Sequence, residues 1–325
     1  MVFSAAEFPQ QYLVSHVPRK ITEKISKDST PTVSFEYFPP KTDSGMATLG
    51  KRILSMKELN PEWIDVTFGA GGSTTERTLE ICEKAVKEGG LDVMMHLTCT
   101  NMGVDDIDTI LEMMKKVGIR NILALRGDPP KDAIEWKQCK SGFRNAVDLV
   151  RHIRSRYGDY FCIAVAGYPE GHADCESFDL DLMYLKEKVD AGADLILTQL
   201  FYDVSLFEVF RRKVRELGVI VPIIPGVMPV LTYAGLHRMT EMCKVHLPNV
   251  ISYEVEKIKD DDDKIKEYGI RLAVRMCKDL IQLGVEGIHI YTMNQEETVR
   301  AIIRGLSSFL PEKHTHWIID SSTAS

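Results

Sequence analysis

No two cysteines in this chain are spaced as CxxC, and no cysteines and histidines cluster at zinc-ligand spacing. The 7 cysteines stand far apart, mostly in apolar runs, where a free thiol behaves as a small hydrophobe. That usage argues against a disulfide framework and against a structural metal site, and it suits a reducing compartment. Basic residues are in deficit: 40 Lys and Arg against 47 Asp and Glu give a net charge of -7, so no basic footprint points to nucleic acid. Apolar runs are short, none approaching the ~20 residues of a membrane-spanning helix, and no membrane partner is expected. Residues 1–20 lack the basic start and apolar run of a secretory signal, and Glu7 weighs against an organelle transit peptide. A cytoplasmic location is the expectation. The acidic run Asp260–Asp263 lacks the glycine and alternating ligands of a calcium loop and reads as a solvated loop.

What is present is a regular alternation. The 325 residues are 44% hydrophobic, enough for one barrel-sized core. Residues 1–30 are polar and mixed, with a short helix expected around Arg19 to Lys27, and read as an N-terminal arm outside the main fold. Strands are then expected at 32–38, 63–68, 92–98, 121–126, 161–167, 194–201, 221–226 and 287–291. Helices are expected between them, at about 45–59, from Ser73 or Thr74, from Asp105 or Asp106, and at 142–156, 179–191 and 205–217. Further helices are expected at 232–245, 264–283 and 295–308, with extra helical material between strands seven and eight. Eight strands alternating with helices imply parallel βα units. The reading is an α/β chain folded as a (β/α)8 TIM-type barrel with extra helices, a single domain over residues 31–308. Residues 309–325 read as a polar C-terminal tail.

One stretch organises the rest. In Leu123-Ala-Leu-Arg-Gly-Asp-Pro-Pro130 an apolar run ends at Arg126 and Asp128 around Gly127, and two prolines then stop the strand. Charged groups there suit a ligand above the sheet, although a structural Arg–Asp pair would look the same. The arrangement recurs. Glu36, Thr67, His96, Tyr168 with His172, Gln199, and Tyr291 with Asn294 all fall at the same ends of their strands, where a barrel of this kind carries its active site. His289 lies inside its strand and reads as packing. Glu36 sits between Phe35 and Tyr37-Phe38. A carboxyl desolvated among rings favours its neutral form and can serve as a general acid. The other reading is an outward Glu36 paired with a helix. The glycines of Gly69-Ala-Gly-Gly72 lack nucleotide-loop spacing and read as steric.

These motifs resemble the catalytic domain of the methylenetetrahydrofolate reductase family over about residues 31–308. The matching stretches are Phe35-Glu-Tyr-Phe-Pro-Pro-Lys41, Asp65-Val-Thr-Phe-Gly-Ala70, His96-Leu-Thr-Cys99, Leu125-Arg-Gly-Asp128 and Ala166-Gly-Tyr-Pro-Glu-Gly-His172. Further on come Thr198-Gln-Leu-Phe201, Ile224-Pro-Gly226 and Tyr291-Thr-Met-Asn294, in family order and spacing. The resemblance implies an FAD-dependent enzyme of one-carbon and methionine metabolism. It would reduce 5,10-methylenetetrahydrofolate to 5-methyltetrahydrofolate with NADPH or NADH, by a ping-pong scheme. By the same resemblance Glu36 is the general acid, Asp128 lies between flavin and pterin, and Gln199 meets both folate and nicotinamide. Thr67, Phe68, Ala70, His96, Arg126, Gly127, Asp128, Ala146, Tyr168, His172, Asp181 and Lys188 match the FAD-contacting set. Phe201, Met239 and Gln295 fall at folate-binding positions beside Glu36, Asp128 and Gln199. Asn145, Tyr184 and Glu187, at the dinucleotide tail, depart from the residues often found there. Alternatives are another flavin barrel of the proline dehydrogenase kind and a catalytically silent folate-binding homologue. A homo-oligomer is compatible with the sequence, which does not choose between NADH and NADPH.

Overall fold

In a computed structural model of the chain, residues 17–25, 31–68, 73–128 and 138–320 are described. Nine strand segments lie in one sheet: β1 (Thr32–Tyr37), β2 (Trp63–Val66), β3 (Val93–Thr98), β4 (Asn121–Leu125), β5 (Cys162–Gly167), β6 (Leu195–Thr198), β7 (Ile223–Ile224), β8 (Gly226–Val227) and β9 (Gly287–Tyr291). The order is β7-β6-β5-β4-β3-β2-β1-β9-β8 and all pairings are parallel. All eight expected strands are present, the seventh in two pieces. Pro225 has no N–H to give a ladder, so the chain breaks there. Ile223 and Ile224 pair with β6, while Gly226 and Val227 pair with β9, which brings the sheet round into a nearly closed barrel. The Pro225 carbonyl still accepts from His289 N at 3.0 Å, and Thr198 Oγ1 accepts from Gly226 N at 3.0 Å.

Helices cover the outside: α1 (Asp43–Met56), α2 (Ser73–Lys87), α3 (Val104–Val117), α4 (Ala146–Tyr157), α5 (Phe178–Asp190), α6 (Val204–Glu216), α7 (Tyr233–Cys243), α8 (Asn249–Lys257), α9 (Asp262–Gln282), α10 (Glu296–Gly305) and the short α11 (His316–Asp320). Their starts follow from local chemistry. Asn145, Ser177 and Thr232 each accept a backbone N–H of the first turn, as N-caps do. The third helix is capped by Gly103 rather than by Asp105 or Asp106; the Asp106 carboxylate accepts from the Gly103 N–H at 2.9 Å. The acidic run is not a free loop: Asp261 caps α9, and Asp262 and Asp263 occupy its first turn, where carboxylates offset the helix dipole.

Side-chain alternation divides each strand between two layers. On β1, Val33, Phe35 and Tyr37 face the helices and join the main core, and the Tyr37 hydroxyl reaches Met56 Sδ on α1. Ser34 and Glu36 face the barrel axis. Deep in the barrel an apolar plug forms from Trp63, Met94, Leu123, Cys162, Ala164, Leu195, Leu197 and Ile224. Ile21 completes that plug and is fully buried.

Residues 17–25 therefore correct the expectation of an arm outside the fold. They carry a single 3-10 turn, Ile21–Glu23, across the N-terminal mouth. Ile21 N donates to Asn121 Oδ1 at 2.8 Å, and Lys24 pairs with Asp92. The tail reading is corrected as far as residue 320. Leu310 and His314 are buried, and Lys313 pairs with Glu62 near the same mouth. Among the described residues no helix is long and apolar enough to cross a membrane.

Candidate active site

The C-terminal ends of the strands open into a cavity of about 420 Å³. It is lined by Glu36, Thr67, Phe68, His96, Arg126, Gly127, Asp128, Tyr168, His172, Gln199, Met239 and Tyr291, all expected from the sequence. Across the ends of β4 and β5 it continues into a groove of about 460 Å³ that runs out between α4 and α5. That groove adds Asn145, Ala146, Asp181, Tyr184, Glu187 and Lys188, and shares Arg126, Tyr168 and His172 with the cavity.

The floor of the cavity is polar. Glu36 Oε2 stands 3.5 Å from His96 Nε2 and 3.7 Å from His289 Nε2. His96 Nε2 is 3.3 Å from Asp65 Oδ2, and Asp65 Oδ1 is 4.0 Å from His289 Nδ1. Two carboxylates and two imidazoles thus alternate round a ring. Ser34 Oγ meets His289 Nδ1 at 2.8 Å. Neighbouring strands carry the members: Glu36 is in register with Asp65 on β2, and Ser34 with His289 on β9. The Glu36 carbonyl is held by the Thr292 hydroxyl at 2.5 Å, which fixes the backbone beneath the carboxyl.

This corrects the basis on which Glu36 was read. Phe35 and Tyr37 point outward by strand alternation, so rings do not surround its carboxyl. Its side chain faces inward, 17% exposed, among two histidines and an aspartate. The alternative of an outward ion pair with a helix is also excluded. Burial pushes His96 down, but the contact with Asp65 and the charge of Glu36 outweigh it and hold the imidazole above its ordinary range. Tyr291, partly buried with its hydroxyl on the Thr198 carbonyl at 2.6 Å, is raised well above the usual phenol range by desolvation.

Around the rim, Arg126 pairs with the loop residue Asp174 at 2.9 Å. Asp128 is exposed at the cavity edge, with its carbonyl held by Thr100 Oγ1 at 3.1 Å. Between them Gly127 takes φ +87°, and a Cβ there would stand 2.5 Å from Thr100 Oγ1, so no other residue fits without strain. Gln199 Oε1 accepts from Leu200 N at 2.8 Å, which orients the amide. In the groove Lys188 Nζ donates to the Ala166 carbonyl at 2.6 Å and lies 5.7 Å from the Tyr168 ring centre. Burial lowers Lys188 to about 8, although Asp181 opposes the shift. Burial likewise lowers His172 and raises Asp181.

Not every expected residue gathers here. Phe201 is fully buried and stacks on Phe207 of α6 with ring centres 5.5 Å apart, away from the cavity wall. Gln295 is exposed at the start of α10, and Met293 lines the cavity from that loop instead. Asn294 ties two loops together: its Oδ1 accepts from Phe38 N at 3.2 Å and its Nδ2 donates to Phe38 O at 2.9 Å. Ala70, Pro129 and Pro130 lie outside the described residues. The sequence assigns Asp65 no part in the site and presents His289 as packing, yet both stand on its floor. Both were visible as polar residues in mid-strand, sharing inward parity with Thr67 and Tyr291.

The family model described as methylenetetrahydrofolate reductase matches residues 20–307. A protein of Oryza sativa subsp. japonica named probable methylenetetrahydrofolate reductase (NADH) is 47% identical over 299 residues, covering 88% of this chain and 50% of its own. Methylenetetrahydrofolate reductase 2 of Saccharomyces cerevisiae is 45% identical over 297 residues, covering 89% and 50%. A Caenorhabditis elegans protein named probable methylenetetrahydrofolate reductase (NADPH) is 37% identical over 305 residues, covering 92% and 45%. The chain thus spans about half the length of the curated relatives it matches. Among solved structures, a Clostridium thermocellum protein described as binding two copies of 5-methyl-5,6,7,8-tetrahydrofolic acid aligns with TM-score 0.63 at 14% identity, covering 89% of this chain and 98% of that one. At that identity the likeness is one of fold, and it supports the TIM-type barrel.

Proposed function

The chain belongs to the methylenetetrahydrofolate reductase family, and from that premise we propose that it reduces 5,10-methylenetetrahydrofolate to 5-methyltetrahydrofolate, with NADH or NADPH as electron donor and FAD as cofactor. The observation that carries this reading is the placement of the Glu36 carboxyl on a polar floor under a cavity that extends into a long groove.

The residues present fit FAD. Cavity and groove each fall within the roughly 300–1,000 Å³ of ligand sites. Thr98 Oγ1, on the cavity wall, is buried and makes no hydrogen bond among the described residues, so a polar ring edge would find a partner there. Lys188, Arg126 and Tyr168 line the passage to the groove and suit a flat, anionic dinucleotide. Thr67, Phe68, His96 and Gly127 would border its ring system, with Ala146, His172 and Asp181 further along. When bound, FAD supplies the hydride chemistry, taken from the nicotinamide and given to the folate.

The chain's own residues do the rest. The methylene bridge of the folate opens when its leaving nitrogen is protonated, and Glu36 supplies that proton. His96 and His289, within 3.5 and 3.7 Å of the carboxyl, are placed to return one. Opening leaves positive charge on the methylene group, and Asp128 at the rim stabilises it. Gln199 offers both a donor and an acceptor to the two ligands that use the cavity in turn, as a ping-pong scheme requires.

The test is a visible spectrum of the purified protein. Flavin absorbance should bleach on anaerobic addition of NADH or NADPH and return on addition of methylenetetrahydrofolate. A folded protein that takes up no FAD from excess, or whose reduced flavin ignores the folate, contradicts the proposal. Bleaching by proline instead would favour a different flavin barrel.

A further inference from the structure

The floor of the cavity contains more ligating atoms than proton donation needs, and two of them are unsatisfied. His289 Nε2 and Asp65 Oδ1 are buried and make no hydrogen bond among the described residues. Such atoms carry a desolvation cost unless something pairs with them. Glu36, Asp65 and His289 each offer a ligand atom, and the three atoms lie within 4.8 Å of one another. We propose that Glu36, Asp65 and His289 form a binding site for a divalent cation of the zinc class, with His96 available as a fourth ligand.

The geometry suits the ion. Nitrogen and oxygen ligands at 2.0–2.2 Å from a tetrahedral zinc stand about 3.3–3.6 Å apart. His289 Nε2 stands 3.7 Å from Glu36 Oε2, and the ligand atoms of Glu36, Asp65 and His289 all lie within 4.8 Å of one another. Small side-chain shifts bring these three into range, and His96 Nε2 stands beside them, 3.5 Å from Glu36 Oε2 and 3.3 Å from Asp65 Oδ2. Two carboxylates and two imidazoles favour zinc over magnesium or calcium, which prefer all-oxygen shells. Ser34 Oγ on His289 Nδ1 is the outer hydrogen bond that fixes a ligating imidazole, leaving Nε2 for the ion. Four adjacent strands present the ligands, so little ordering is required on binding. Glu36 is open to the cavity, so the ion enters by the substrate's route. An ion held there takes the Glu36 carboxylate out of proton transfer, and the site is inhibitory. That consequence rests on the function proposed above, whereas the binding does not.

The test is zinc titration of the chelator-treated, desalted, FAD-supplied protein by calorimetry, with zinc K-edge absorption spectroscopy on the product. One zinc per chain is expected, with a nitrogen and oxygen shell and no sulfur. His289→Gln and Asp65→Asn should each weaken binding tenfold or more, and His237→Gln on the outer helix α7 should leave it unchanged. Circular dichroism and flavin content show whether each variant is folded, and either folded ligand variant suffices to decide. A sulfur shell, no zinc uptake, or uptake indifferent to the ligand substitutions overturns the proposal. None of these readouts needs reductase activity, so failure here is separable from failure of the functional reading.

Discussion

At the N-terminal mouth of the barrel, charged groups are used up in pairs. Lys24 meets Asp92, Arg19 N donates to Asp92 Oδ1 at 2.8 Å, and Glu62 takes the Val33 N–H at 2.7 Å together with Lys313. Trp63 Nε1 and His314 Nε2 lack a hydrogen bond there among the described residues, and Asp92 Oδ2 is held by its ion pair with Lys24. At the C-terminal mouth the same residue types face one another across a cavity at 3.3–4.0 Å, with Asp65 Oδ1, His289 Nε2 and Thr98 Oγ1 unsatisfied. One end seals the barrel and the other is kept ready for a ligand. A buried pair adds little stability over an apolar replacement but is costly to break from one side, so the sealed end tolerates no half-measures. The open end holds polar groups whose best partners arrive with the substrate.

Breaking the sealed end should have the largest effect on stability and little on chemistry. Asp92→Ala leaves the largely buried Lys24 without its ion-pair partner, and the expected loss is about 3–5 kcal/mol in chemical denaturation. Turnover per folded molecule should stay unchanged. A loss under about 1 kcal/mol would mean that the N-terminal segment does not hold the mouth closed.

At the open end, Gly127→Ala forces a side chain into left-handed backbone against Thr100. About 1–3 kcal/mol of destabilisation is expected, with weaker flavin retention on gel filtration. Unchanged stability together with unchanged flavin content would show that the turn after β4 yields freely.

The smallest effect sharpens the contrast through pH. Lys188 is lowered by burial to about 8 from 10.5, so between those values the unfolded chain binds a proton that the folded chain does not. Stability of the flavin-free protein should therefore rise with pH across about 8 to 10.5. An anionic ligand beside Lys188 restores its charge. Near pH 9, FAD binding should take up close to one proton, measured by calorimetry in buffers of different ionisation enthalpy, and Lys188→Met should abolish the uptake.

Much of this was legible beforehand. Apolar runs stopped by Pro39-Pro40 or by glycines marked the strand ends, and β9 matches its expected span of 287–291. Strand-end position alone found Glu36, Thr67, His96, Arg126, Asp128, Tyr168, His172, Gln199 and Tyr291 on the cavity wall. What was not legible depended on contacts distant in sequence. Ile21 is a lone apolar residue without periodicity, and only the closed barrel gives it a socket. Pro225 was in plain view, but the division of one strand between two neighbours depends on how the ladder closes. Phe201, expected at the folate site from the resemblance, packs on Phe207 instead, since alternation lapses after Thr198. Reading Glu36 from its chain neighbours picked out the rings that alternation sends outward. The same alternation, followed through the strand interiors, would have drawn Asp65 and His289 into the site.

The central claim is that Glu36 on this floor is the proton donor for one half of the reaction. Glu36→Gln keeps the size of the side chain and removes the transferable proton. Stopped-flow flavin absorbance can follow each half-reaction separately. Oxidation of reduced flavin by methylenetetrahydrofolate should slow by roughly a hundred- to ten-thousand-fold, the usual contribution of general acid catalysis, while reduction by NADH or NADPH stays within about threefold. Equal losses in both half-reactions would contradict the account and make Glu36 a support for the flavin site.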